Sequence, residues 1–338
     1  YSAPTGFVAL AQDNLAGTNQ FISAFSWIKN RDATDNHMLF DRVRGATKDL
    51  HSNETTAEVT NVNTLQSFLE AGVQVGNDVE VNTANESYVL WNWMTEATGS
   101  GASNTAGSIN TTSTLVDTTL GLSISTYTGT GANATIGHGL GVVPKFFMVK
   151  QLGSAGTNWM VYASVIGATK NMVLDNATAY SQSATRWNNT EPTSTLISLG
   201  TTTAVNGSSA TYVCYAFADS QFISIGGYGG NANVNGTFVP TLNSLGIPIQ
   251  PVWVLTKDTA ISGPWVISDT SRSPLNEVTK QLQPNLTTAE ITSYNSDIDT
   301  GGFKWTASNS YVNGASTFLY IAIGTPIIDT DGRIIAGR

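Results

Sequence analysis

The chain reads as an all-β protein: three related antiparallel β-sandwich modules of jelly-roll-like form, in tandem, with few short helices. Three observations lead there. Apolar residues come in short aromatic and β-branched runs bounded by Gly, Asn, Pro and Ser, which is the signature of strands and turns. Small neutral polar residues dominate, with 46 Thr, 32 Ser and 29 Asn, and only 12% of residues are charged, about half the usual ~25%. Finally, one strand pattern occurs three times.

The first copy runs Phe25-Ser26-Trp27-Ile28-Lys29, His37-Met38-Leu39-Phe40-Asp41 and Gly45-Ala46-Thr47-Lys48, closing in Tyr88-Val89-Leu90-Trp91. The second runs Phe146-Phe147-Met148-Val149-Lys150, Trp159-Met160-Val161-Tyr162 and Gly167-Ala168-Thr169-Lys170, closing in Tyr212-Val213-Cys214-Tyr215. The third runs Trp253-Val254-Leu255-Thr256-Lys257, Trp265-Val266-Ile267-Ser268-Asp269 and Lys280, closing in Phe318-Leu319-Tyr320-Ile321. From the leading Lys to the closing aromatic is 59, 62 and 61 residues. Smaller echoes agree: Thr55-Thr56-Ala57-Glu58 matches Thr287-Thr288-Ala289-Glu290, and Val81-Asn82 recurs as Val205-Asn206 and Val312-Asn313. Such a period exceeds the 20–50 residues of solenoids and propeller blades, so each copy is domain-sized.

Taken in order, residues 1–98 form the first module, 99–223 a linker hairpin with the second, and 224–338 the third with a C-terminal tail. Each opening strand meets a polar turn and a second apolar strand, which predicts a hairpin with a longer loop. Between Thr55 and Gly72 a helix is expected: Thr55 caps, Glu58 closes a capping box, and Leu65, Phe68 and Leu69 share a face. Residues 285–295 would echo it as a short turn. Residues 95–126 are linker-like, with hairpin alternation at Ser108–Asn110 and Leu120–Ile124.

Charge narrows the partners. A net charge of −9 argues against nucleic acid and against an anionic membrane surface. No apolar run reaches the ~18–20 residues of a spanning helix. Residues 99–256 hold only 8 of the charged residues; that stretch reads either as a Thr/Asn-rich β surface that solvates itself or as the place where a subunit interface is expected. The sequence carries no secretory signal pattern, and Tyr1 reads as a processed end or an interior position of a longer product.

Chemical motifs are sparse. The lone Cys214 lies in an apolar run and reads as a core thiol. His37, His51 and His138 form no metal-ligand spacing. His37 takes the register of Trp159 and Trp265, a packing position. Gly137-His138-Gly139-Leu140-Gly141 precedes a strand and reads as a turn, not a phosphate loop. Asp329-Thr330-Asp331-Gly332 resembles the start of a calcium loop without its downstream Glu. No catalytic set, cofactor or metal is assigned. Trp27, Trp159, Trp253 and Trp265 sit at repeat-defining strand positions and are expected in the core. Trp187, Trp305, Tyr127 and Tyr228 occupy more polar or glycine-rich surroundings and are the candidate glycan contacts.

The stretch Thr126-Tyr127-Thr128-Gly129-Thr130-Gly131, Ala134-Thr135-Ile136-Gly137-His138-Gly139-Leu140 and Pro144-Lys145-Phe146-Phe147-Met148-Val149-Lys150 resembles a module of marine bacteriophage structural proteins, found widely in cyanophages. Trp187-Asn188-Asn189-Thr190 and Tyr212-Val213-Cys214-Tyr215-Ala216-Phe217 continue it, and the likeness spans residues 25–323. It brings no catalytic motif. It implies a virion protein: a tail fibre, another appendage or a capsid-surface component, assembled as a homo-oligomer such as a trimer and joined to other virion proteins. Unlike similar proteins, the closing strand runs Ile321-Ala322-Ile323-Gly324-Thr325-Pro326 and is followed by an extra tail to Arg338, a candidate docking segment. The alternative is a carbohydrate-binding adhesin at a fibre tip, and a weaker one a polysaccharide depolymerase.

Overall fold

The computed structural model describes residues 8–11, 22–70, 72–95, 102–274 and 276–327. Tyr1, the calcium-loop resemblance at Asp329–Gly332 and the tail to Arg338 lie outside the described residues. What is described is all-β, with several antiparallel sheets and four one-turn helices.

The first module contains β1 (Val8–Ala11), β2 (Ile22–Asn30), β3 (Met38–Asp41), β4 (Lys48–His51), β5 (Val59–Thr60), β6 (Leu65–Leu69), β7 (Gly72–Val75), α1 (Val79–Asn82) and β8 (Tyr88–Thr95). Its large sheet has the order β5-β4-β3-β2-β8, and its small sheet β1-β7-β6. The helix expected between Thr55 and Gly72 is absent; β5 and β6 occupy that stretch. Two contacts explain it. Leu65 packs with Val73 and Val75 beneath the sheet, and Glu58 is held by Arg44, so it does not close a capping box.

The second module contains β9 (Ser113–Asp117), β10 (Leu122–Thr128), β11 (Ala134–Gly137), β12 (Phe146–Gln151), β13 (Met160–Ala163), β14 (Lys170–Val173), β15 (Ser181–Gln182), α2 (Ala184–Trp187), β16 (Leu196–Leu199), α3 (Thr203–Asn206) and β17 (Thr211–Phe217). Its large sheet is β15-β14-β13-β12-β17-β10-β9, with β11-β16 as the small one. The linker-like residues supply the hairpin β9–β10, which extends this sheet; its first strand is Ser113–Asp117 rather than Ser108–Asn110, where Ile109 instead forms an isolated bridge to Ile136.

The third module contains β18 (Ile223–Gly229), β19 (Phe238–Pro240), β20 (Ile249–Asp258), β21 (Val266–Asp269), β22 (Gln281–Leu282), β23 (Ser296–Asp299), β24 (Gly302–Trp305), α4 (Ser310–Asn313) and β25 (Thr317–Pro326). Its sheets are β18-β25-β20-β21-β22 and β19-β24-β23. Residues 285–295 open in a short turn, Leu286 N–H donating to the Gln283 carbonyl at 2.9 Å, and Ile291 then pairs with Gln281 as an isolated bridge.

Equivalent strands are β2, β12 and β20, and their closing partners β8, β17 and β25. The pairing fixes the alignment: Lys29 faces Val89, Lys150 faces Val213, and Lys257 faces Leu319. Period-two alternation then sends each large sheet's two faces to different cores. Phe25 and Trp27, Phe146 and Met148, and Trp253 and Leu255 enter one apolar cluster shared by all three modules. Ile28, Phe147 with Val149, and Val254 face each module's own cluster. Both faces are therefore buried, which explains the continuous apolar runs.

The Val-Asn echo is a capped helical turn. Asp78, Thr202 and Asn309 accept the backbone N–H of Glu80, Ala204 and Tyr311. Buried Asn82, Asn206 and Asn313 then donate to the carbonyls of Gly76, Gly200 and Ala307.

Candidate functional site

The three modules close on one another. Glu58 of the first donates its backbone N–H to Leu152 of the second at 2.8 Å. Tyr180 of the second donates to Thr259 of the third at 2.8 Å, and Glu290 of the third to Arg31 of the first at 2.8 Å. The acceptors each stand two residues after the repeated lysine. A second set of links repeats at two of the three junctions. Trp159 Nε1 donates to the His51 carbonyl at 2.8 Å and Trp265 Nε1 to the Val173 carbonyl at 2.9 Å. His37, in the same register, turns its buried ring toward the Gln283 backbone, without Nε2 reaching hydrogen-bond geometry. Tandem copies in sequence are thus a closed ring in space.

Two of the three junctions carry a buried charge cluster. In the first, Arg44 Nε meets Asp41 Oδ2 at 2.5 Å and Arg44 Nη1 meets Glu58 at 3.1 Å. Tyr215 of the second module donates to Asp41 at 2.6 Å. In the junction of the third and first modules, Arg272 meets Asp269 at 2.6 Å and Glu290 at 3.0 Å. There Trp91 Nε1 donates to Asp269 at 3.2 Å. Equivalent positions in the remaining junction are Ala163, Ile166 and Ile321, all in the shared core. Burial lowers the basicity of the Arg44 guanidinium, but Asp41, Tyr215 and Glu58 outweigh it and hold the group charged. Burial likewise raises the Glu290 carboxyl, while Arg31 and Arg272 overcome it and hold it ionised.

Lys29, Lys150 and Lys257 are fully buried. Their ammonium groups donate to loop carbonyls: Ala33 at 3.0 Å, Thr157 at 2.5 Å and Ile261 at 3.4 Å respectively. Burial lowers each to about 8, against partial opposition from nearby carboxylates.

The four aromatics expected at a glycan-binding surface are core residues: Trp187, Trp305, Tyr127 and Tyr228 are 0%, 1%, 1% and 7% exposed. Tyr127 and Tyr228 are counterparts, donating to the Val205 and Val312 carbonyls at 2.6 and 2.7 Å. Trp305 donates to the Tyr228 hydroxyl, and Trp187 packs edge-on against Phe147. Polar neighbours in sequence misled because each ring packs into its module's own apolar cluster, and the polar residues beside it form the turns. None of the four offers a free face to a sugar.

The other motif readings have structural outcomes. Cys214 is buried, and burial pushes its thiol up to about 12. His138 is buried in a glycine turn, with Nε2 on the Thr193 carbonyl and Nδ1 accepting from Leu140 N–H. Among the described residues, no group of three or more His, Cys, Asp or Glu is placed to hold a metal, and no helix is long and apolar enough to cross a membrane.

Among the described residues, one partly open groove is bordered by several tryptophans. Along β8, Trp91, Trp93, Trp253, Leu120, Val252 and Asp269 border a groove of 220 Å³. The rings pack edge-on, with Trp91 6.2 Å and Trp93 5.7 Å from Trp253. The sequence marked Trp253 only as a core position; the groove exists because three modules meet there, and no single repeat encodes it.

These features define an all-β protein whose three internal copies interlock in a ring, with an aromatic groove at one strand edge. The chain belongs to the family described as a domain of unknown function, DUF7483, which it matches over residues 9–325. No curated protein and no solved structure matches it.

Proposed function

We propose that the chain is a non-enzymatic structural component of a bacteriophage particle: a tail fibre, another appendage or a capsid-surface protein. The observation that carries this reading is the ring itself. Groups that serve chemistry in enzymes, such as Asp41, Arg44, Tyr215, Asp269 and Arg272, here join modules through buried contacts. A site for catalysis needs such groups facing a substrate. The likeness of residues 25–323 to marine phage structural proteins supports the virion as location. The low charge suits packing against further copies or other virion proteins. Nucleic acid, membrane and cofactor have no part in this reading. The adhesin alternative has lost the four aromatics that motivated it.

Labelled antibody against the chain, imaged on purified particles, tests the proposal. Regular decoration of one particle substructure is the expected result. A chain present in the host cytoplasm and absent from particles would overturn it.

A further inference from the structure

We propose that Asp49, His51, Glu54 and Glu80 form a proton-operated latch, which takes up one proton in mild acid and thereby tightens the first module against both of its neighbours. The inference stands on the geometry of the cluster and does not depend on the virion reading.

Three carboxylates from three elements surround one imidazole. Asp49 and His51 stand on β4, Glu54 in the loop that follows, and Glu80 in α1. His51 Nδ1 lies 3.0 Å from Glu54 Oε2. A carboxylate accepts there, so Nδ1 carries the ring hydrogen and the neutral ring leaves Nε2 bare. Nε2 faces Glu80 Oε2 at 3.8 Å and Asp49 Oδ1 at 3.9 Å. Two carboxylate oxygens thus converge on a bare ring nitrogen, with no hydrogen to share. Asp49 is 2% exposed, and its Oδ1 has no hydrogen-bond partner. Buried polar atoms are normally satisfied, and one proton supplies what is missing. On Nε2 it makes an imidazolium with a carboxylate at each nitrogen; on Asp49 it removes a buried charge. The proton belongs to the cluster rather than to one residue.

The surroundings favour its uptake. Burial raises the Asp49 carboxyl to about 6; His51 and Arg44 oppose this, while Glu80 and Asp78 add to it. Burial raises the Glu80 carboxyl too, opposed by His51 and Asn36 and reinforced by Asp78. Asn36 holds Glu80 Oε1 at 2.6 Å, which leaves Oε2 to His51. From β2 the Lys29 ammonium lies in the field of Glu80, with Asp35 and Glu86 beside it. A raised carboxyl binds its proton more tightly in the folded chain, so protection rises as pH falls through about 6.

The segment that the latch holds reaches both neighbouring modules. The His51 and Thr55 carbonyls accept Trp159 Nε1 and the Gly156 N–H, each at 2.8 Å, and Ser52 Oγ donates to the Pro284 carbonyl at 2.6 Å. The sister modules close their seams without such a cluster. Strand register makes Val173 and Gln283 the counterparts of His51, since Leu50 faces Leu39 as Met172 faces Val161 and Leu282 faces Ile267. Asp49 is matched by Asn171 and Gln281, and Glu80 by Ala204 and Tyr311. Closing the ring therefore needs no carboxylate or imidazole at these positions, and one module alone gains the response to pH.

The test reads hydrogen exchange, corrected for the intrinsic rate, at the amides of Ser52, Glu54 and Glu58, which donate to the His37, His51 and Leu152 carbonyls. The full chain is compared with the variant Asp49→Asn, His51→Val, Glu80→Ala, which copies the second module. Protection in the full chain should rise about tenfold more than in the variant between about pH 7.5 and 5, as a carboxyl shifted up from ~3.9 requires. A second measurement needs no substitution: the Asp49 carboxyl and the His51 ring, followed by carbon-13 resonance, should titrate in shared steps, with the Asp49 inflection near 6. Equal pH responses in chain and variant would overturn the proposal, as would an Asp49 carboxyl that titrates near ~3.9. A response abolished by EDTA would also overturn it, by assigning the cluster to a metal ion.

Discussion

Glu290 is tied twice to Arg31, a residue 259 positions away: its carboxylate takes the guanidinium at 2.8 and 3.0 Å, and its N–H meets the Arg31 carbonyl. This pair closes the third module onto the first. Glu290 also holds Arg272, so its loss leaves a buried guanidinium short of a partner. Glu290→Ala should cost about 3–5 kcal/mol, and Arg31→Ala, at the more exposed end, about 1 kcal/mol. Urea unfolding of both variants measures the difference; equal costs would contradict the assigned hierarchy.

The apolar junction predicts a rescue of the charged one. Asp41→Ala alone leaves the buried Arg44 with only Glu58 and the Leu39 carbonyl and should destabilise by about 3 kcal/mol. Combining Asp41→Ala, Arg44→Ile and Tyr215→Ile copies Ala163, Ile166 and Ile321 of the sister junction. The triple variant should be more stable than Asp41→Ala, as read by its denaturant midpoint.

Stability should rise with pH between about 8 and 10. Lys29, Lys150 and Lys257 fall to about 8 in the folded chain, against ~10.4 when unfolded. In that window the unfolded chain binds more protons, so the stability slope is positive. Below about 8 both states are protonated and the burial penalty is fully present. Above ~10 the direction reverses, because burial holds Tyr127, Tyr215 and Tyr228 well above their ordinary values and the unfolded chain loses those protons first. Unfolding midpoints from pH 7 to 11 test the sign, and Lys150→Met should flatten the rise.

Trp187→Ala should act on stability rather than on recognition. The ring is fully buried against Phe147, and large-to-small changes of this kind cost about 3–5 kcal/mol. Tyr127→Phe, which loses only the hydrogen bond to Val205, should cost about 1 kcal/mol. Thermal melts and a glycan-binding screen on both variants separate the two roles.

Strands and their threefold recurrence were legible because sheets buried on both faces produce unbroken apolar runs such as Phe146–Val149. The Val-Asn echo was also legible, although its meaning as a capped turn was not. Two things escaped. The stretch from Thr55 to Gly72 showed helical spacing at Leu65, Phe68 and Leu69, but Glu58 is claimed by Arg44 and by the second module, contacts distant in sequence. The ring escaped as well, since bonds such as Tyr180 to Thr259 link different copies and leave no period within any one of them. The groove along β8 follows from that ring and was equally hidden.

Carrying the three copies on one chain frees the junctions from being identical. A trimer of separate subunits must repeat each contact at every interface, and its integrity falls on dilution. Here all three contacts lie within one chain, and two seams are ionic while the third is oily. A partner approaching along the ring meets three distinguishable sides, and so can dock in a single orientation rather than in three equivalent ones.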